Sequence, residues 1–175
     1  MKRLSIIIFS LYTTAAGFGQ GIKKYDIGNS GCEAYFYCDP GTATVDYTPD
    51  SSLVYTIECI NEQLHYGLIC VKFISSITPV KEKEDLMIQY IDYLKDQFKI
   101  KESAGYGKGH TMDNYAPATG VIDFWKDDTG AEWKIKSWTD GYYIGFMYVY
   151  ADGSLNSANI SKMDLFLNGF RFPGM

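Results

Sequence analysis

His110 stands close to Asp113 at the end of GYGKGH, residues 105 to 110, the segment of this 175-residue chain that comes nearest to a catalytic or phosphate-binding motif. A histidine beside an acid can act as a base only when a nucleophile meets it. No serine occupies a G-x-S-x-G elbow, and no cysteine lies in a recognised nucleophile motif. The glycines lack the G-x-x-x-x-G-K spacing of a phosphate loop and do not lead into a helix, so a linker or tight turn is expected. His65, the only other histidine, falls in a hairpin loop. Glu58, Glu62, Asp92 and Asp123 are carboxylates that would have to meet in space to perform glycoside hydrolysis. Asp127, Asp128, Asp140 and Asp152 belong to turns, which their side chains stabilise, without the spacing of an EF-type calcium loop. No catalytic residue, metal or cofactor is therefore expected. Asn159-Ile160-Ser161 matches a glycosylation acceptor but falls in an expected helix.

The four cysteines, Cys32, Cys38, Cys59 and Cys70, depend for their meaning on compartment. Lys2 and Arg3 precede the apolar run from Leu4 to Leu11, and small residues close it at Gly17-Phe18-Gly19. This is the pattern of a signal peptide over residues 1–19, cleaved before Gln20. A membrane anchor would need about 20 apolar residues, and Thr13 and Thr14 interrupt this run after about half that length. Export to the periplasm or extracellular space is expected, with a single globular domain over residues 20–175 and no later stretch able to span a bilayer.

In that setting an even cysteine count favours disulfides. CEAYFYC, if extended, separates Cys32 from Cys38 by about 20 Å, against the ~4.4 to 6.8 Å that a bridge allows between α-carbons. These two can pair only if the segment bends. Cys59 and Cys70 flank a hairpin centred near Leu64 and His65, and they are the expected bridge. Reduced, buried thiols are the alternative, and a metal site lacks any C-x-x-C pair.

Loss of the leader removes two cations and no acid from a chain of net charge −5, leaving −7. That charge repels phosphate backbones, so nucleic acid is not an expected partner. An apolar content of 46% with 16% aromatic residues excludes disorder and suffices for a real core.

The elements follow from periodicity. CEAYFYC, TATVDY, LVYTIECI and GLICVKFI are β-branched and aromatic runs punctuated by turns, hence strands. EKEDLMIQYIDYLKDQFK repeats Leu86, Tyr90, Ile91, Leu94 and Phe98 at helical spacing, with acids in its first turns. A three-strand meander follows. An Asp140-Gly141 turn would pair Trp133 with Tyr148 and Trp138 with Tyr143, and the Asp127–Gly130 loop would pair Phe124 with Trp133. One face then collects Ile122, Phe124, Trp133, Ile135, Ile144, Phe146 and Tyr148. The other is mixed, with Trp125, Trp138, Tyr143 and Met147, and with Asp123 opposite Lys134. SANISKMDLFLNGF supplies a closing helix through Ile160, Met163, Leu167 and Phe170, ending at Asn168-Gly169. The expectation is an α+β fold: an α/β/α sandwich with a central antiparallel sheet and helices on both faces.

This order of elements, ending in Phe166-Leu167-Asn168-Gly169-Phe170-Arg171-Phe172, resembles the PsbP-like superfamily over about residues 30 to 173. The resemblance implies an antiparallel sheet with helices on both faces and a non-catalytic role in binding other proteins, with no catalytic motif to transfer. The functional expectation is an exported module that is not an enzyme and binds a protein or cell-envelope component. Trp138, Tyr143 and Trp125 are its candidate contact residues, because aromatic rings with polar edges serve interfaces and sugar platforms. A small-ligand protein for a sugar or apolar molecule is the alternative, and a hydrolase the third reading.

Overall fold

The computed structural model describes residues 21–77, 79–113, 115–151 and 157–175. The expected signal peptide and Asp152 lie outside them. The elements are β1 (Lys23–Asp26), β2 (Glu33–Phe36), β3 (Thr44–Tyr47), β4 (Leu53–Asn61), β5 (Leu64–Lys72), α1 (Val80–Gln97), β6 (Ile100–Ser103), β7 (Gly107–Thr111), β8 (Thr119–Asp127), β9 (Glu132–Thr139), β10 (Tyr143–Ala151) and α2 (Ser157–Leu167). An eight-stranded antiparallel sheet runs β3-β4-β5-β10-β9-β8-β6, with β7 beside β6 on the same edge of β8, and β1 and β2 form a separate ribbon.

The expected α/β/α sandwich is corrected by this architecture, which is dominated by strands. Seven strand positions at about 4.8 Å each make a sheet far wider than a helix of roughly 10 Å diameter can cover. Helix α1 packs chiefly over β8, β9 and β6. There Met87, Ile91 and Leu94 meet Val71, Val121, Trp125, Trp133, Ile135, Ile144, Phe146 and Tyr148 in one core, each buried aliphatic side chain contributing about 1.5–3 kcal/mol. The opposite face is covered by several pieces together. Ala34 and Phe36 of the ribbon, Met163, Phe166 and Leu167 of α2, and Phe170 and Phe172 beyond it pack against Tyr66, Leu68, Trp138 and Met147.

Two registers differ from expectation, and turn chemistry explains both. In the β8–β9 loop, Asp127 Oδ1 accepts from the backbone N–H of Thr129 and of Ala131 at 2.9 and 3.0 Å. Ala131 is thereby drawn into the turn, and Trp125, not Phe124, pairs with Trp133. A one-residue slip turns every side chain over. Val121, Asp123 and Trp125 go inward beneath α1, while Phe124 is left 48% exposed. In the β9–β10 loop, Asp140 Oδ1 accepts from Tyr142 and Tyr143 N–H at 2.8 and 3.0 Å, and Thr139 Oγ1 donates to Tyr143 O. This widens the turn, so Thr139 pairs with Ile144, Ile135 with Tyr148 and Trp133 with Tyr150. That slip is even, and the strand faces are kept.

The expected Cys59–Cys70 bridge is also corrected. The β4–β5 turn sits at Glu62-Gln63, both with positive φ (51° and 67°), which places Cys59 opposite Tyr66 and Cys70 opposite Tyr55. Strand β2 ends at Phe36, and the chain bends at Tyr37 and Cys38 toward the end of β4. Asn61 Nδ2 donates to Tyr37 O at 2.8 Å there. The bridge formed is Cys38–Cys59, with α-carbons 6.0 Å apart. Cys32 and Cys70 are free and buried.

Candidate functional site

Helix α1 is tied toward one side of the sheet by polar contacts. Lys95 Nζ lies 3.1 Å from Asp123 Oδ2, Lys83 Nζ donates to Asp140 O at 2.7 Å, and Glu84 Oε1 accepts from Thr119 Oγ1 and Gly109 N–H at 3.1 and 3.2 Å. All of these partners belong to β7, β8 or the loop after β9, so α1 lies chiefly over β8, β9 and β6, meets β5 at Val71, and leaves the same face of β3 and β4 beside it.

A groove of about 570 Å³ results. Its floor is Val54 and Thr56 of β4, Ile69 and Val71 of β5, and Ile144 and Phe146 of β10. Leu86, Tyr90, Tyr93 and Leu94 of α1 form one wall, and Tyr47, Thr48 and Pro49 close one end. Tyr47 is 72% and Tyr93 60% exposed. Burial pushes the Tyr90 phenol up in pKa, reinforced by the nearby Asp50 and Tyr93. Hydrogen bonds from Thr48 and Ser52 hold the Asp50 carboxyl below the usual carboxylate range; the acid in the groove's own lining is Asp46. On the side away from β4, β3 pairs with no strand among the described residues, and all four of its residues are exposed. The volume is that of a ligand pocket, and the neighbouring free edge offers backbone donors and acceptors.

The aromatic residues singled out from sequence are dispersed. Trp125 is 3% exposed and lies beneath α1, its Nε1–H donating to Asp123 Oδ2 at 2.7 Å. Trp138 is 2% exposed on the opposite face, where its Nε1–H donates to Leu167 O at 3.3 Å. Its strand partner is Gly145, not Tyr143. Its ring lies so close over Gly120 that a Cβ there would stand 2.6 Å from it. Tyr143 is half-buried opposite Lys72, whose ammonium is 5.9 Å from its ring centre.

Trp138 does line a second concavity, of about 660 Å³, with Lys24, Glu33, Tyr35, Met112 and Arg171. Lys24, Glu33 and Arg171 there have partners within the chain. Lys24 pairs with Glu33 at 2.8 Å, Arg171 donates to Asn168 O and Phe170 O and lies over the Tyr35 ring, and Lys136 donates to Asn168 Oδ1 at 2.7 Å. A ligand would have to displace these contacts.

Of the titratable candidates, Asp92 and Asp123 are brought together through Lys95, whose Nζ lies 3.6 Å from Asp92 Oδ1 and 3.1 Å from Asp123 Oδ2, and Glu58 meets His65; the others are dispersed. Glu58 accepts from Tyr148 Oη at 2.8 Å and faces His65 Nδ1 at 3.4 Å. Glu62 pairs with Lys162, and Asp92 accepts from Tyr106. Asp123 is wholly buried and takes donors from Ser103, Trp125, the Phe124 backbone and Lys95; it faces Ile135, not Lys134. His110 is a β7 residue whose pKa is lowered by burial and by the charge of Lys136. Asp127 and Asp140 build their turns as expected. No group of three or more His, Cys, Asp or Glu able to hold a metal occurs among the described residues.

Sequence reasoning missed the groove. The signal was Tyr93, which extends Leu86 and Tyr90 into a second stripe beside the buried Met87, Ile91 and Leu94. An apolar helix surface wider than one contact face implies a second contact. No family model, curated protein or solved structure matches the chain.

Proposed function

We propose that this chain is an exported, non-catalytic binding module that holds an extended segment of a protein of the cell envelope along β3, with apolar side chains of the segment seated beside α1. The observation that carries this reading is the opening of the apolar groove onto an unpaired strand edge. An added strand would take main-chain hydrogen bonds from β3 while alternate side chains enter the groove. Asp46 in the groove lining, Asp50 near Tyr90 and the acidic balance of the chain favour a segment with cationic residues between its apolar ones. The signal-like amino terminus, and a disulfide compatible with an oxidising compartment, support export. The PsbP-like order of elements supports protein binding in place of catalysis.

The test is anisotropy titration with labelled peptides that alternate apolar residues with lysine, and with matched peptides carrying glutamate. Binding of the lysine series is expected, weakened by backbone N-methylation, and lost in Tyr47→Ala and Tyr93→Ala while the unfolding midpoint stays unchanged. Binding indifferent to both tyrosines refutes the reading.

The apolar lining of the same groove favours a second reading, a small apolar ligand. In that case an apolar dye would bind and be displaced by apolar small molecules, and blocking the β3 edge would have no effect.

A further inference from the structure

We propose that Cys32 and Cys70 form a second disulfide, nested around Cys38–Cys59, which fastens the amino-terminal ribbon to the middle of the large sheet. Cys70 lies on β5 between Tyr55 and Gly145, on the face that the ribbon covers. Cys32 immediately precedes β2. Its position is fixed by backbone contacts on both sides: Ile27 N–H donates to Cys32 O at 2.9 Å, Cys32 N–H donates to Ser30 Oγ at 3.0 Å, and Glu33 exchanges a pair of hydrogen bonds with Arg171. The two side chains are 1% and 0% exposed in the same core. Their thiols are in hydrogen-bond contact with each other, and Ser30 contacts the Cys70 thiol as well. Two thiols that neighbour each other in one closed core, each on backbone held by its own sheet, meet the first requirement for a bridge.

The contact also dictates when the bond forms. Its hydrogen bond with Cys32 and its burial push the Cys70 thiol well above its ordinary pKa, so in the docked state it has little thiolate with which to attack. The bond therefore closes as the ribbon docks, and once closed it is shielded from reductants, whereas Cys38 and Cys59 are only partly buried. The chemistry is thiol–disulfide exchange. The Cys32 and Cys70 thiols lose two protons and two electrons, an S–S bond forms between them, and a small-molecule or enzyme disulfide is reduced to two thiols by accepting both. The bond would remove conformational freedom from the unfolded chain between β2 and β5.

The test is refolding of the denatured, reduced chain with oxidised and reduced glutathione, followed by alkylation in denaturant and peptide mapping by mass spectrometry. This is independent of export and of the groove. The expected result is a Cys32–Cys70 peptide, no alkylated cysteine, and the same pairing in a Cys38→Ser/Cys59→Ser variant. Mild reduction of the native protein should then open Cys38–Cys59 first. Recovery of Cys32 and Cys70 fully alkylated beside an intact Cys38–Cys59 bridge overturns the proposal, as does either of them paired with Cys38 or Cys59.

Discussion

The ring of Tyr148 lies directly across the backbone of Gly67 on the neighbouring strand, so close that a Cβ on Gly67 would stand 2.0 Å from the ring carbon bearing the hydroxyl. Glycine in a strand interior loses packing and backbone entropy, and here the missing side chain is what lets Tyr148 reach Glu58 on β4 at 2.8 Å. Three strands are thus joined in one row, Tyr148, Gly67 and Glu58.

Gly67→Ala should accordingly destabilise the fold by about 1–3 kcal/mol, the usual cost of forcing atoms into a packed site. In a Tyr148→Ala background the same change should cost little or stabilise slightly, since alanine is a better strand residue than glycine. Urea unfolding of the wild type, both single variants and the double variant gives the coupling. Equal costs in the two backgrounds would show that the ring and the glycine are independent.

A second prediction concerns Asp123, the wholly buried carboxylate under α1. Burial opposes the charge of Lys95, but hydrogen bonds with Tyr106 and Asp123 outweigh it and raise its pKa. Removing one member of a buried pair leaves the other charge uncompensated, at about 3–5 kcal/mol. Asp123→Ala should cost less, about 1–3 kcal/mol, because the buried Trp125 Nε1–H loses its acceptor while Lys95 keeps Tyr106 and Asp92. Lys95→Met should cost less still, since Ser103, Trp125 and the Phe124 N–H still serve the carboxylate. The check is a pair of denaturant titrations, in which a cost below about 1 kcal/mol for Asp123→Ala would deny the pair its part in holding α1.

How much of this could be read from residues divides along physical lines. The strands from Cys32 to Phe73, both helices and the three-strand meander follow from periodicity, because burial on one side imposes a period of 2 or 3.6 whatever the partner is. Registers depended on turns, and the turns that deceived are those whose side chains rewrite the loop. Asp127 draws Ala131 into its turn and thereby exchanges Phe124 for Trp125 in the core. Glu62-Gln63 adopts a left-handed turn without the Asn-Gly signal that normally marks one, which displaced the Cys59–Cys70 pairing. β7 was hidden because GYGKGH has no alternation to detect, and β8 supplies its pairing. The groove was least legible of all. It exists because Lys83, Glu84 and Lys95 pull α1 to one side of the sheet, and their partners lie far away in sequence.

The last prediction concerns alkaline pH. Tyr66 is fully buried with a hydroxyl that has no hydrogen-bond partner among the described residues, and burial pushes its pKa far above the ordinary value; Tyr148 is displaced the same way by burial and by the negative charge of Glu58. Below about pH 10, the ordinary tyrosine pKa, folded and unfolded chains keep these protons alike, and the two groups give stability no slope. Above it the unfolded chain releases protons that the folded chain retains, so stability falls as pH rises, each buried tyrosine contributing a slope of about 1.4 kcal/mol per pH unit. Tyr66→Phe removes one such contribution and also an unsatisfied buried hydroxyl, so it should leave neutral stability equal or improved and flatten the alkaline decline. Tyr148→Phe should flatten it as well, at the cost of the bond to Glu58. Unfolding midpoints measured on both sides of pH 10, with tyrosinate absorbance followed in parallel, check this. If the two phenols ionise in the folded chain at the ordinary pKa, or if Tyr66→Phe leaves the alkaline slope unchanged, the buried rings do not govern the alkaline limit.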